Sequence, residues 1–312
     1  MDVRQLATLV AIADHGTFSA AARALYTVQS NVSSHIARLE KELGVTLVDR
    51  AAGGLTEEGE RVVEGARRIL NELDDIAADM SSRHADISGQ TRIGVIGTTA
   101  RWLIPKFLTQ LSTDHPHVRV IIQEGATSSL VPNVLTGQLN AAIVHLPVDE
   151  PELVIDPLFA EDLLLLAAEG HPLADRDRMH LADLDEVPLL LPPPGAALRR
   201  VLERAAATAG VTLRAQAEVD GVRLLASLAF EGFGAAIVPA TAAPTWLEGS
   251  FRRITVPELP RRVVAFARRR RPSASAPTRA ALDTLREVIA TPGTAQHGVY
   301  PDAAAIPFGR PG

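Results

Sequence analysis

Residues 19–50 read SAAARALYTVQSNVSSHIARLEKELGVTLVDR, and this stretch decides the fold of the N-terminal part of the chain. The pattern predicts two short helices with a tight connection, followed by a strand over residues 45–48. Ser19 is expected to cap the first helix, which runs to about Leu25. The second helix is expected to begin near Gln29 and to end before Gly44, since glycine suits the left-handed position after a helix. Its apolar residues recur at helical spacing: Val32, Ile36, Leu39 and Leu43.

The leading end and outward side of this second helix carry short hydrogen-bonding groups. These residues are Gln29, Ser30, Asn31, Ser33, Ser34, His35 and Arg38. In the DNA major groove, Asn and Gln can bond adenine, Arg can bond guanine, and Ser can bond either. The pattern therefore predicts a helix that reads base edges, although an ordinary solvated helix face has the same composition.

The composition indicates a globular chain with two or three domains. The 312 residues are 46% hydrophobic and 22% charged, and they include no cysteine. Disulfides, thiolate metal sites and cysteine nucleophiles are therefore excluded. No apolar run reaches the roughly 20 residues that span a membrane, and the N-terminus does not resemble a signal segment. We expect a cytoplasmic protein without membrane contact, and the net charge of −6 argues against nucleic-acid binding by the whole surface.

The first 58 residues fit a winged helix-turn-helix, and here the chain resembles the LysR-type transcriptional regulators. The matching series is Leu6, Val10, Ala13, Gly16, Thr17, Phe18, Ala21, Ala22, Leu25, Gln29, Val32, Ser33, Ile36, Leu39, Glu40, Leu43, Gly44, Leu47, Arg50, Leu55, Thr56 and Gly59. The resemblance implies a sequence-specific regulator that binds double-stranded promoter DNA and responds to a small-molecule effector. It extends to about residue 290.

The wing and the charge of this module depart from the family. The family usually carries a longer wing with one or two arginines, whereas only Ala-Ala-Gly-Gly lies between Arg50 and Leu55. Arg50 is among the residues expected to bind DNA, whereas the shortened wing lacks the arginines of the family's wing, which contacts the backbone and the minor groove. Five basic and five acidic residues balance over residues 1–50. Because phosphate contacts dominate affinity, we expect weak DNA binding by one module and dependence on several.

A long helix is predicted from Thr56 to about Arg83, with Thr56 as its N-cap. Its apolar residues follow a heptad spacing: Val62, Ala66, Ile69, Leu73, Ile76 and Met80. The stripe predicts a two-stranded dimer helix, with packing on its own domain as the alternative. A dimer would present two reading helices to two half-sites on DNA. The resemblance adds a homotetramer built from such dimers.

Beyond a polar hinge near residues 85–90, strands and helices alternate in the order expected of α/β lobes. The predicted fold is α + α/β: a winged helix-turn-helix (1–58), a linker helix and hinge (59–88), and a regulatory domain (89–290). The two crossing segments predict lobe I at about 89–160 and 265–290, and lobe II at about 161–264. As the resemblance implies, this domain is similar to periplasmic binding proteins. Residues 291–312 lack periodicity and are expected to be a loosely ordered tail.

Ligands of open α/β sheets bind beyond the carboxyl ends of the strands, where helices begin. The candidate residues at these ends are Thr98, Thr99, Thr127, Ser128, His145, Pro194, Gly195, Asp220 and Gly221. Hydroxyls and free amides at helix starts favour anions, so we expect a small organic acid. Asp220 would oppose a wholly anionic ligand, which leaves an amine or hydroxyl group open. For each residue a plain helix cap is the alternative.

An enzyme on the two-lobed domain and a solute-binding protein are the rival interpretations. The sequence contains no Walker loop, no G-x-S-x-G, no G-x-G-x-x-G after a strand and no H-x-x-x-H pair. His115 and His117 flank a proline, which fits a structural loop better than a metal site. We therefore expect no catalytic residues, no metal and no cofactor. The N-terminal module argues against a solute-binding protein.

Overall fold

The computed structural model describes residues 1–49, 54–81, 87–245, 247–271, 273–291 and 294–301. The α-helices are α1 (Val3–His15), α2 (Phe18–Ala24), α3 (Gln29–Leu43), α4 (Glu57–Ser81), α5 (Gly97–Asp114), α6 (Thr127–Leu135), α7 (Ala197–Ala209), α8 (Val222–Phe230) and α9 (Ala276–Ala290). The strands are β1 (Val48–Asp49), β2 (Gly54–Leu55), β3 (Gly89–Ile96), β4 (Val118–Gly125), β5 (Ala141–His145), β6 (Leu153–Glu161), β7 (Leu163–Ala168), β8 (Pro188–Leu191), β9 (Arg214–Glu218), β10 (Ala235–Pro239), β11 (Phe251–Thr255), β12 (Arg262–Arg269) and β13 (Val299–Tyr300).

The first three helices pack around the apolar stripe of α3. Val32, Ile36 and Leu39 are fully buried, whereas the fourth member of the predicted stripe, Leu43, is exposed at the helix end. Gly44 follows α3 in the left-handed conformation, with φ of 73°, which confirms the predicted helix end. These three helices and the short β1–β2 hairpin form the winged helix-turn-helix.

The start of α2 differs from the sequence prediction. Thr17, and not Ser19, is the N-cap, because the Thr17 hydroxyl accepts a hydrogen bond from the Ala20 amide at 3.1 Å. The prediction for Ser19 was therefore wrong, since an equally good cap precedes it by two residues. The Ser19 hydroxyl instead donates to Oε1 of Gln29 at 2.9 Å, and so connects α2 to α3.

The strand predicted over residues 45–48 is confined to β1. Leu47 is buried without joining the ladder, because Oε1 of Glu40 accepts its amide at 2.8 Å. Arg50 and the rest of the predicted wing tip, residues 51–53, lie outside the described residues.

The long helix α4 begins as predicted, with Thr56 Oγ1 accepting the Gly59 amide at 3.0 Å. A Cβ at Gly59 would lie 2.1 Å from the Leu47 carbonyl oxygen, so only glycine allows this close approach. Val63 belongs to the buried core of the N-terminal module, and Val62 packs against that core. Ala66 is buried as well, so the first two residues of the predicted heptad stripe are turned toward the interior.

The middle of α4 also contacts the regulatory domain. The Asn71 side chain donates to the carbonyl of Gly137 and accepts from Nη1 of Arg92, the latter at 2.7 Å. Asp75 lies 3.5 Å from the amide nitrogen of Asn140. Because Asn71 and Asp75 are both buried, these polar contacts orient α4 on the first lobe.

Two sheets form the two lobes of the regulatory domain. The six-stranded sheet has the order β13-β6-β12-β5-β3-β4, and the five-stranded sheet has the order β11-β7-β10-β8-β9. In the first sheet β3 runs parallel to β4 and β5, and in the second β8 runs parallel to β9 and β10, as right-handed crossover helices require. The chain passes between the lobes where β6 is followed directly by β7 and where β11 leads to β12. Both sheets have apolar cores of their own.

Helix α5 begins at Gly97, so Thr98 and Thr99 lie in its first turn. One further prediction needs correction. The segment expected to be a loose tail is structured over residues 294–301. There β13 pairs antiparallel with β6, and Thr294 and Gln296 are buried. A two-residue strand has no periodicity to detect, and its partner lies far away in sequence.

Candidate functional site

The outward surface of α3 carries most of the residues predicted to read DNA. Gln29, Ser30, Asn31, Ser34 and Arg38 are exposed, and Ser33 is half-buried. None of these side chains is needed to fill the core, which is made by the opposite face of the helix.

Hydrogen bonds to neighbouring residues orient two of these amides. Oε1 of Gln29 accepts from Ser19, which leaves the Nε2 donors for an outside acceptor. Nδ2 of Asn31 donates to Oγ1 of Thr27 at 3.0 Å. Such bonds hold the amides on the surface in one orientation, as base reading requires.

His35 differs from the other residues of the predicted set. It is half-buried, and its Nδ1 lies 3.0 Å from Oγ1 of Thr8 on α1. The structure therefore turns His35 toward the module core, where it ties α3 to α1.

The turn before α3 has exposed residues that the sequence did not single out. Tyr26 is 99% exposed at a φ of 52°, and Val28 is 59% exposed at the N-cap position. Val28 provides no side-chain hydrogen bond to the first turn of α3. The leading amides of α3 therefore lack a side-chain cap, which is the arrangement that favours an anion such as a phosphate. An aromatic residue in a turn is the signal that could have been noticed.

The junction of the two lobes contains a buried ion pair. Glu161 is completely buried, and both Nε and Nη2 of Arg262 donate to its Oε1, at 2.9 and 2.5 Å. The Thr241 amide donates to Oε2 of Glu161 at 2.9 Å, and Nη2 of Arg262 also reaches Oγ1 of Thr98 at 3.1 Å. Thr98 is therefore bound within the junction, and it also borders a cavity of about 310 Å³ beside α8.

The other predicted effector residues are spread around the junction. Thr99 is fully buried, and its hydroxyl has no hydrogen-bond partner among the described residues. Oγ1 of Thr127 accepts the His145 amide at 3.3 Å, which caps the end of β5. Five further predicted residues are exposed and line none of the larger cavities of the described chain: Ser128, Pro194, Gly195, Asp220 and Gly221.

The larger cavity between the lobes has a volume of about 600 Å³ and contains His145. Lobe I contributes residues 145–147 and Arg262. Lobe II contributes one face of α7 together with Leu163, Glu258, Pro260 and Arg261. The face of α7 consists of Ala197, Leu198, Val201, Arg204, Ala205, Thr208 and Ala209. The sequence did not reveal this wall, because its apolar residues have the same helical spacing as residues of a core.

The electrostatics of the cavity favour a neutral histidine beside arginines. Burial, together with the smaller effect of the nearby Arg262 guanidinium, lowers the pKa of His145 from 6.5 to about 4. The Arg204 side chain is exposed, and no ion pair is found for it among the described residues. An apolar wall with an available guanidinium suits a small ligand with one anionic group.

Two known families match the chain over most of its length. The family described as "Bacterial regulatory helix-turn-helix protein, lysR family" matches residues 3–60, and the "LysR substrate binding domain" matches residues 84–290. No helix of the described residues is long and apolar enough to cross a membrane.

Similar proteins include regulators named for DNA binding or for hydrogen peroxide. The DNA-binding transcriptional dual regulator OxyR of Escherichia coli is 30% identical over 246 residues, covering 78% of this chain and 81% of that protein. A probable hydrogen peroxide-inducible genes activator of Streptomyces viridosporus is 31% identical over 293 residues, covering 91% and 93%.

Two full-length structures are similar to the whole chain. A cysteine-to-aspartate variant of OxyR from Pseudomonas aeruginosa superposes with a TM-score of 0.74 at 26% identity, covering 95% of this chain and 97% of that chain. CbnR in complex with its target DNA gives 0.68 at 26% identity, covering 92% and 100%. The helix-turn-helix, the two-lobed domain and these matches together place the chain in the LysR family of bacterial transcriptional regulators.

Proposed function

We propose that this LysR-family regulator reads promoter DNA with the outward face of α3 and is switched by a small molecule bound between its lobes. The observation that carries the proposal is the pairing of an oriented, exposed polar helix face with a partly apolar cavity at the lobe junction. The relatives named above support both parts, since one is named as DNA-binding and CbnR was solved with its target DNA.

The signal is a bound ligand and not the oxidation of a thiol. Several relatives are named hydrogen peroxide-inducible activators, and the OxyR structure above is a cysteine variant. This chain contains no cysteine, so no sulfenic acid or disulfide can form in it. This chain therefore shares the fold of these relatives and detects a different kind of signal.

The ligand we propose is a small organic acid that binds in the 600 Å³ cavity. Its apolar part would lie against Val201 and Ala205, and its anionic group would face Arg204. His145 stays neutral beside Arg262, so it can donate or accept a hydrogen bond without adding a charge. Ligand binding would favour one arrangement of the lobes and so alter the placement of the DNA-binding modules.

The exposed part of α4 is the proposed dimer seam. Ile69, Leu73, Ile76 and Met80 are between 42% and 52% exposed. Val62 packs against the module core and Ala66 is buried, so the seam is shorter than the sequence suggested. Pairing of two such helices gives a homodimer, and association of dimers gives a homotetramer. The protein acts in the cytoplasm as a regulator and not as an enzyme.

Selection of DNA fragments from the source genome tests DNA reading by the full-length protein. We expect a small set of fragments with a common sequence to be retained, and addition of candidate organic acids to change their affinity. Retention of all fragments alike, or of none, would contradict sequence-specific reading.

Leu73→Glu tests the dimer seam, with Asp74→Ala as the control in the same turn. Burying a Leu side chain contributes about 1.5–3 kcal/mol, and a two-fold seam contains it twice, so we expect dimerisation to weaken about 100-fold or more. Sedimentation measures this directly. Fluorescence anisotropy on a retained fragment should then show weaker binding, because one neutral module makes few phosphate contacts. A Leu73→Glu protein that stays dimeric would exclude this seam.

A further inference from the structure

Residues 294–301 lie beyond the family match, which ends at residue 290, and they connect the two lobes. On the side of lobe II, Nε2 of Gln296 donates to the Ala240 carbonyl at 2.6 Å. On the side of lobe I, β13 extends the six-stranded sheet by pairing Val299 with Glu161 and Tyr300 with Ala160. Gln296 is buried, so this contact is part of the interior.

The segment meets the chain at the point where it crosses between lobes. Asp162 is the single residue between β6 and β7. Its amide donates to the Gly298 carbonyl at 2.8 Å, and its own carbonyl accepts from the Ala240 amide at 3.0 Å. One residue of lobe II and one residue of the C-terminal segment are therefore hydrogen-bonded to the same backbone unit at the hinge.

The carboxylate of Asp162 holds an arginine of the large cavity in place. Its Oδ1 accepts from Nε of Arg261 at 2.9 Å, and its Oδ2 accepts from the Tyr300 hydroxyl at 2.8 Å. The Tyr300 ring lies under the same guanidinium, with Cζ of Arg261 3.9 Å from the ring centroid. Arg261 lines the cavity wall between the lobes, so Asp162 and Tyr300 together fix its orientation there.

We propose that residues 294–301 form a strap that fixes the angle between the two lobes, and that Tyr300 positions Arg261 for an anionic ligand. The role of Tyr300 rests on the proposed effector cavity, whereas the strap itself does not. Movement of the lobes must either carry the strap along or break its contact with Ala240. The strap therefore sets how far the cavity opens.

The fit of the strap against lobe II depends on Gly298. This residue has a φ of 76°, and a Cβ placed there would lie 3.0 Å from the Cβ of Ala240. Gly298→Ala should therefore push the strap away from Ala240 without removing any hydrogen-bonding side chain. Gln296→Ala removes the contact with lobe II by a different route.

Spin-label distances between the lobes test the strap in the full-length protein. Because the chain has no cysteine, Ser112→Cys on α5 and Ala207→Cys on α7 give one exposed label site in each lobe. We expect a narrow distance distribution in the parent and a broader or shifted one with Gly298→Ala, Gln296→Ala or deletion of residues 294–312. Deletion of residues 302–312 alone is the control and should leave the distribution unchanged.

Amide hydrogen exchange distinguishes loosening of the hinge from loss of folding. The Asp162 amide should exchange faster in all three strap variants, whereas amides of β8 in the core of lobe II should keep their protection. Unchanged interlobe distances and unchanged exchange at Asp162 in the two point variants would overturn the strap.

Two probes with the same phenylnaphthylamine ring system separate the role of Tyr300 from simple packing. The probes are 8-anilinonaphthalene-1-sulfonate, an anion, and N-phenyl-1-naphthylamine, its neutral counterpart. Arg261→Gln removes the charge-assisted hydrogen bond between the guanidinium and the sulfonate, so we expect it to weaken sulfonate binding about tenfold. We expect Tyr300→Phe to weaken sulfonate binding less, because the guanidinium remains. Neither change should affect the neutral amine. Equal loss for both probes would overturn the positioning role, and failure of both probes to bind the parent would overturn the cavity while leaving the strap to the distance measurements.

Discussion

The polar groups of the lobe junction are hydrogen-bonded within the chain, whereas those on the outer face of α3 are exposed. At the junction Glu161, Asp162 and Arg262 are each held by several hydrogen bonds within the chain. On α3 the side chains of Ser30 and Arg38 are exposed, and Val28 leaves the helix start without a side-chain cap. Polar groups that are satisfied internally build a scaffold, whereas those left outward are available to a partner. The predictions below test this contrast.

The largest effect is expected from removing the buried carboxylate of the junction. Glu161→Ala leaves Arg262 without its partner in the interior, and breaking a buried ion pair in this way costs about 3–5 kcal/mol. Denaturant unfolding measures the loss. Glu150→Ala, at an exposed position, serves as the control and should change stability by less than about 0.5 kcal/mol. A loss below about 1 kcal/mol for Glu161→Ala would show that the junction is not held by this pair.

The pH dependence of stability should come in part from His145. The pKa of His145 is about 4 in the folded protein, whereas its ordinary value of 6.5 applies to the unfolded chain, so the unfolded chain binds a proton first as the pH falls. The free energy of unfolding is therefore unaffected by His145 above pH 6.5. It decreases between about pH 6.5 and 4, by about 3 kcal/mol in total. His145→Asn should flatten this part of the stability profile. An identical slope in both proteins would contradict the low pKa.

Substitutions on the outward face of α3 should change the affinity for DNA and leave the free energy of unfolding nearly unchanged. Gln29→Ala removes an exposed amide, so we expect a loss of about 1–3 kcal/mol in binding to the selected fragment, with little change in unfolding. Ser19→Ala is the matched control, because it removes the orienting hydrogen bond but keeps the amide of Gln29. In fluorescence anisotropy, Ser19→Ala should weaken binding to the selected fragment less than Gln29→Ala does. If Gln29→Ala binds as tightly as the parent, Gln29 does not contact a base.

The smallest effect is a gain at the uncapped end of α3. Val28→Ser supplies a hydroxyl at the N-cap, and the missing cap is worth about 1 kcal/mol. Thermal unfolding should show the increase. Destabilisation by this change would mean that the exposed Val28 side chain contributes packing that outweighs a cap.

The sequence predicted what depends on local periodicity and on the resemblance. The stripe of Val32, Ile36 and Leu39 located the core face of α3, and the alternation of strands and helices predicted both lobes. Choosing between neighbouring caps such as Thr17 and Ser19 needs coordinates, since the two side chains have the same chemistry. Pairing of Val299 with Glu161 is a long-range contact that no local pattern encodes.

The effector residues predicted from the sequence also show that local patterns do not reveal which side chains line a cavity. The predicted residues follow the ends of strands, but which of them face a cavity depends on the packing of the lobes. His145 reaches the large cavity and Gly195 does not. Arg204 and Arg261, in turn, lie on elements that the strand-end rule does not consider.

Helix α4 imposes a geometric condition on any signal between the lobes and DNA. Its 25 residues form one uninterrupted helix, about 37 Å long, that packs on the module core at Val63 and is hydrogen-bonded to lobe I at Asn71. A rod of this kind transmits rotation and tilt but does not stretch. Inserting one residue would turn its two ends by about 100° relative to each other, and about seven residues would nearly restore the phase. The number of residues in α4 therefore sets the rotation of the DNA-binding module relative to lobe I, and we expect function to depend on it.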